Sequence, residues 1–177
     1  EESQTKTYKN IKLQTKNGDI IYRTLDNFIP SLNNSTQRVN NNALLSLGYS
    51  GQGYTVAVID TGVDFTHPFL AGKKAGEACF TAANSCPNGT NEMIGDGAAR
   101  PTHWHGTHVA GIAAGSGLTS NGKYRGVAPD AEIVAVSMGY NYDTESYETG
   151  NTEIIDAINY IFSYAASVNK PAVINLS

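Results

Sequence analysis

No run of basic residues interrupts this chain, and no apolar stretch approaches the length of a membrane span, which takes about 20 consecutive apolar residues. Its 12 basic and 16 acidic residues leave a net charge of −4. That balance argues against nucleic acid or an anionic membrane surface as the main partner. Residues 1–30 show no signal-peptide pattern, so if the protein is exported its leader is expected to be already removed. Internal repeats and low-complexity tracts are absent. Cysteine is scarce: only Cys79 and Cys86 occur, in a stretch rich in Asn, Gly and Pro. Two further thiol or imidazole ligands at finger spacing are missing, which counts against a structural zinc site. The pair fits a local disulfide in an exported protein; the plainer alternative is two free thiols in a surface loop. The triplets Asn34-Ser35-Thr36 and Asn88-Gly89-Thr90 are glycosylation sequons, which arise often by chance and matter only in a eukaryotic secretory route.

What is present fits one domain with a sizeable core. Residues 1–40 are polar. Lys9 to Tyr22 alternates weakly around Asn17-Gly18, a hairpin signal, and reads as a small hairpin or the tail of a pro-segment. Ala43 to Leu47 predicts a short helix stopped by Gly48. Tyr54 to Ile59 is a continuous apolar strand, as expected when both faces of a sheet are covered. Residues 70–103 show no clear period and read as a long loop. His105 to Ala114 is small and apolar and predicts a closely packed, buried helix. Gly126-Val127-Ala128-Pro129 leads to a second strand, Glu132 to Met138. Tyr140 to Gly150 reads as a polar loop. Asn151 caps a helix reaching about Val168, with Glu153 in its first turn and an apolar stripe of Ile154, Ile155, Ile158, Ile161, Phe162 and Ala165. Lys170-Pro171 ends it, and Ala172 to Ser177 is a third buried-type strand. Strands alternating with helices imply βαβ units and a parallel sheet.

The chemistry concentrates in two segments. The apolar run Val56-Ala57-Val58-Ile59 ends on Asp60, at the end of a strand where open α/β sheets bind ligands. The segment His105-Gly106-Thr107-His108-Val109-Ala110-Gly111 opens a helix with an imidazole. A carboxylate that accepts a hydrogen bond from the Nδ1–H of a His fixes its tautomer and stabilises the imidazolium. Taken alone, Asp60 caps the turn Thr61-Gly62 and His105 is a core histidine; together they are two parts of a Ser-His-Asp hydrolase, an orienting acid and a general base.

Val56 to Asp64, with His67-Pro68 following, resembles the Asp region of the subtilisin-like serine proteases, and His105 to Gly111 matches that family's His region letter for letter. Gly126 to Ala131 resembles the segment leading to the strand beside the substrate cleft. Val173-Ile174-Asn175-Leu176-Ser177 resembles the strand that begins one wall of the primary specificity pocket. The resemblance spans about residues 44 to 177. It implies an α/β, three-layer fold, a mostly parallel sheet flanked by helices and incomplete in this chain. Residues 1–40 would be an N-terminal extension or the end of a pro-segment, and 41–177 the N-terminal part of the catalytic domain. It implies that Asp60 orients, that His105 acts as base and then acid, and that Ser177 borders the pocket for the residue before the cleaved bond. Protein or peptide would be the substrate, and the setting secreted or cell-surface. The loop from Tyr140 to Gly150, with Tyr140, Tyr142 and Tyr147, would face the N-terminal side of that bond. Tyr140 is the candidate substrate contact there; a solvated loop is the alternative.

Several departures carry expectations of their own. The family's nucleophile lies in a Gly-Thr-Ser-small-Ala-Pro segment, and none of the 177 residues supplies one. The catalytic Ser is therefore expected in a C-terminal part or a second polypeptide, and this chain alone is expected to be inert. No cofactor is required for the chemistry. The family's structural calcium loop is not matched by Gly117 to Arg125. Trp104, directly before His105, either lines the cleft or covers the helix start. His103, His105 and His108 also resemble the His cluster of metallo-β-lactamase-like enzymes, which makes a zinc-dependent hydrolase the alternative chemistry, although Thr107 stands where that family places an Asp. An inactive relative that kept the fold is a third reading.

Overall fold

The structure is a computed structural model that describes residues 11–14, 20–23, 32–141 and 143–177. The chain divides into two compact units, Glu1–Ser31 and Leu32–Ser177. In the first, β1 (Ile11–Gln14) pairs antiparallel with β2 (Ile20–Arg23), as the hairpin pattern predicts. The Asn17-Gly18 turn lies outside the described residues.

The second unit holds short helices α1 (Leu32–Arg38) and α2 (Asn41–Ser46), then β3 (Thr55–Asp60), β4 (Lys74–Phe80), β5 (Glu92–Ile94), α3 (Trp104–Ala114), β6 (Glu132–Ser137), β7 (Tyr140–Asn141), β8 (Ser146–Tyr147), α4 (Asn151–Val168) and β9 (Ala172–Leu176). A five-stranded sheet runs β5-β4-β6-β3-β9. Only the β4–β5 pair is antiparallel; β4–β6, β6–β3 and β3–β9 are parallel. Helix α3 packs on one face and α4 on the other, which gives the three layers. Alternate residues of β3 serve the two faces: Ala57 and Ile59 join Val134, Val136, Ala157 and Ile161 on the α4 side, while Val58 joins Ile133, Ala135, Ala110 and Ala114 on the α3 side. Double coverage is why β3 and β6 read as unbroken apolar runs.

Several expectations are corrected. The supposed loop over 70–103 contains β4 and β5. Cys79 lies in β4 and bonds to Cys86, so the disulfide anchors a loop to the sheet rather than closing a free surface turn. Tyr140 to Gly150 holds the β7–β8 hairpin. The N-cap of α4 is Gly150, not Asn151; the Gly150 N–H donates to Glu153 Oε2 at 2.8 Å. The stripe of α4 is rotated from the predicted one: Ile155 and Phe162 are exposed, and Tyr160 and Tyr164 pack on the core in their place. Helix α3 buries one face only, through Gly106, Ala110 and Ala114, and leaves Trp104 and Ile112 exposed. β9 is an edge strand. It pairs with β3 on one side, and its Val173 is 63 % exposed.

Candidate active site

Asp60 is the last residue of β3 and is 1 % exposed. It stands at the C-terminal edge of the sheet, between the ends of β6 and β9, where the flanking helices lie on opposite faces. This is the crevice position of open parallel sheets. The Thr61 N–H donates to Oδ1 at 2.7 Å, and the Ser177 hydroxyl lies 3.3 Å from Oδ2. Asp60 thus also caps its own turn, as the plainer sequence reading expected.

The imidazole of His105 meets this carboxylate through Nδ1, at 2.9 Å from each oxygen. Its side chain is 38 % exposed, so the ring spans from a buried acid to open solvent. The start of α3 fixes it there. His103, in extended backbone, caps the helix by accepting the His105 N–H on its Nδ1 at 3.2 Å. The Gly106 N–H donates to Thr61 Oγ1 at 3.0 Å, and the Asp64 N–H donates to Thr107 Oγ1 at 2.9 Å. Gly106 permits the close approach, because a Cβ there would stand 2.2 Å from the Gly62 carbonyl oxygen and 3.1 Å from Asp60 Oδ1. The far end of α3 is fastened too. The N–H groups of Val127 and Ala128 donate to the carbonyls of Ile112 and Ala113, at 3.0 and 2.8 Å, which answers the open carbonyls that every helix end presents.

Thr61 and Thr107 were missed as positioning residues. Their only sequence signal is adjacency, one following the Asp and the other two residues past the His. The Gly126-Val127-Ala128-Pro129 segment was read as the approach to a strand; its work of closing α3 is invisible without the fold.

Ser177 follows β9 beside Asp60, and its hydroxyl also lies 3.0 Å from Asn175 Oδ1. The Tyr140 ring lies 4.9 Å from that of His103 and 5.8 Å from that of Tyr147. Burial first, then the negative charge of Asp60, push the Tyr147 phenol above its ordinary value, which sets Tyr147 within electrostatic reach of the acid. Tyr142 lies outside the described residues.

The three histidines of the zinc alternative do not converge. His103 Nδ1 caps the helix, His105 Nδ1 faces Asp60, and His108 lies on the exposed side of α3 against Trp104. Among the described residues no three His, Cys, Asp or Glu side chains gather in a way that could hold a metal ion. The segment 115–125 carries no carboxylate and holds Lys123 and Arg125, so it does not fit a calcium loop. Among the described residues no helix is long and apolar enough to cross a membrane.

Known proteins resemble this chain in sequence and fold. The family model of the subtilase family, Peptidase S8, matches residues 51–177. The minor extracellular protease Vpr of Bacillus subtilis is 34% identical over 172 residues, covering 93% of this chain and 20% of Vpr. A subtilisin of Bacillus sp. strain TA39 is 36% identical over 137 residues, covering 77% of this chain and 30% of that protein. The chain therefore spans less than a third of the length of these two relatives. Among solved structures, the S41 psychrophilic protease superposes with a TM-score of 0.58 at 32% identity, covering 72% of this chain and 37% of that one. The Clostridium perfringens CspB protease superposes with a TM-score of 0.60 at 21% identity, covering 81% and 33%, and shares the fold. With its parallel sheet, its two flanking helices and the matched family model, the chain belongs to the subtilase family.

Proposed function

We propose that this chain supplies the orienting acid and the general base of a serine endopeptidase. One observation carries the reading: a buried carboxylate at the end of β3 meets Nδ1 of a half-open imidazole at 2.9 Å. A proton held on Nδ1 by Asp60 leaves the lone pair on Nε2, on the solvent side of the ring. Nε2 takes the proton of a serine hydroxyl as its oxygen attacks a peptide carbonyl. It then gives that proton to the departing amine, leaving an acyl-enzyme. Water attacks the acyl group next, with His105 again as base, which releases the acid and restores the serine. Asp60 stays ionised throughout and stabilises the imidazolium.

The nucleophile, in this reading, comes from a Gly-Thr-Ser-small-Ala-Pro segment outside the 177 residues, either continuous with this chain or on a second polypeptide. Ser177 borders the pocket for the residue before the cleaved bond, and Tyr140 lines a neighbouring subsite together with Tyr147. An extracellular setting is supported by the Cys79–Cys86 disulfide and by the similarity to Vpr, an extracellular protease.

A fluorophosphonate probe followed by denaturing mass spectrometry tests the reading. We expect the label on a serine outside this chain, and its loss when His105 is replaced by Ala. A label on a serine within the 177 residues, or labelling indifferent to His105, would overturn it.

A further inference from the structure

Trp104 is the single tryptophan of the chain. It is 64 % exposed at the first position of α3, one residue before His105. Its neighbours are imidazoles: ring centroids lie 5.0 Å from His103, 5.9 Å from His105 and 5.8 Å from His108. The rings of His103, Tyr140 and Tyr147 continue the series, so an aromatic surface runs beside the Asp60–His105 pair. The cap of α3 is made by His103, and the buried face of α3 is made by Gly106, Ala110 and Ala114.

We infer that Trp104 is a specificity-determining contact, selecting peptides with an aromatic or large aliphatic side chain at a position flanking the cleaved bond. The inference rests on the endopeptidase reading and narrows its substrate class. The general base lies within hydrogen-bond reach of the serine hydroxyl that attacks the cleaved bond, which places that bond beside the His105 ring. Residues of an extended peptide follow one another at about 3.3–3.6 Å, so side chains one or two residues from the bond fall within about 7 Å of it. The Trp104 ring stands 5.9 Å from that of His105, inside this range. An apolar side chain laid on the exposed indole removes surface of both from water, and an aromatic one adds the offset or edge-on preference of ring pairs.

The test uses the active protein, this chain together with the serine-bearing polypeptide, and peptides carrying phenylalanine or alanine at each of three positions on either side of the bond. Wild type should prefer phenylalanine at one flanking position. Trp104→Ala should lower kcat/KM for that peptide about tenfold, the scale of one aromatic contact, through KM rather than kcat. It should leave the alanine peptides within about twofold, and Trp104→Phe should restore most of the loss. Equal changes on every peptide, or none, would overturn the assignment. The emission of Trp104 gives a readout independent of turnover, taken as the difference between wild type and Trp104→Phe. A phenylalanine peptide should shift it and an alanine peptide should not. A shift without turnover would sink the endopeptidase reading and leave the contact standing. Turnover with neither shift nor position-specific loss would sink the contact alone.

Discussion

Asp60→Asn keeps the shape of the carboxylate but presents His105 with a group that no longer demands a proton on Nδ1. The imidazole then loses its fixed tautomer and its counter-charge. We expect kcat to fall about 10⁴-fold with the unfolding midpoint barely moved, as read by peptide hydrolysis alongside urea denaturation. Gly106→Ala separates the roles differently. The added methyl meets the Gly62 carbonyl at 2.2 Å, and backbone cannot yield as a side-chain tip does. α3 must back away from β3, at a cost of about 3 kcal/mol, and His105 goes with it. A lower urea midpoint at unchanged slope, together with lost activity, is the expected pair of results. The two catalytic candidates were legible because Asp60 ends an apolar strand and His105 sits in a Gly-bracketed run. Thr61 and Thr107 were not, since a hydroxyl that fastens a helix to a turn carries no pattern of its own.

The β7–β8 hairpin that bears Tyr140 and Tyr147 is tied to the disulfide-anchored loop through Glu148. The Glu148 carbonyl accepts the Ala82 N–H at 2.8 Å, and its carboxylate accepts from Asn141 at 3.0 Å. Hydrogen bonds from Ser85 and then Asn141 hold the Glu148 carboxyl below its ordinary 4.5. A group lowered on folding lends its support above its unfolded value and loses it as pH falls through the folded one. The hairpin should therefore loosen under acid, and Glu148→Gln should loosen it at neutral pH, both seen as lower protection of the 143–147 amides relative to their intrinsic exchange rates. β4 explains why part of the sheet escaped the sequence reading. Its start, Lys74-Ala75-Gly76-Glu77, breaks the apolar run, and each break has a use: Lys74 pairs with Glu77 at 3.2 Å, and Gly76 makes room for Tyr160 and Tyr164, the first of which a Cβ would meet at 2.9 Å. β3 and β6, covered on both faces, had no such demands and were plain. α4 was plain in extent, though its buried stripe includes tyrosines that an apolar count passes over.

At the scale of the whole described sheet, β9 lies at its rim. Val173 and Leu176 are exposed there, on a strand with one side unpaired in the sheet order. Such edges recruit other strands. Val173→Lys should raise the monomer fraction in sedimentation at high protein concentration; an unchanged distribution would show that the edge does not drive association. The parallel sheet could be read from apolar strands alternating with helices, and the three layers followed from the resemblance to the subtilisin-like family. Which strand β9 pairs with could not be read, because an apolar run does not name its neighbour. The closure of α3 at both ends, by Thr61 and Thr107 at its head and by Val127 and Ala128 at its tail, has a consequence for engineering. Asp60 and His105 are fastened together by this chain's own backbone, so on the proposed reading the imidazole is aimed before any nucleophile arrives. A hydroxyl or thiol delivered on a designed peptide would meet a ready-made proton acceptor, and the rate it gained would weigh an acid–base pair separately from the serine that evolution coupled to it.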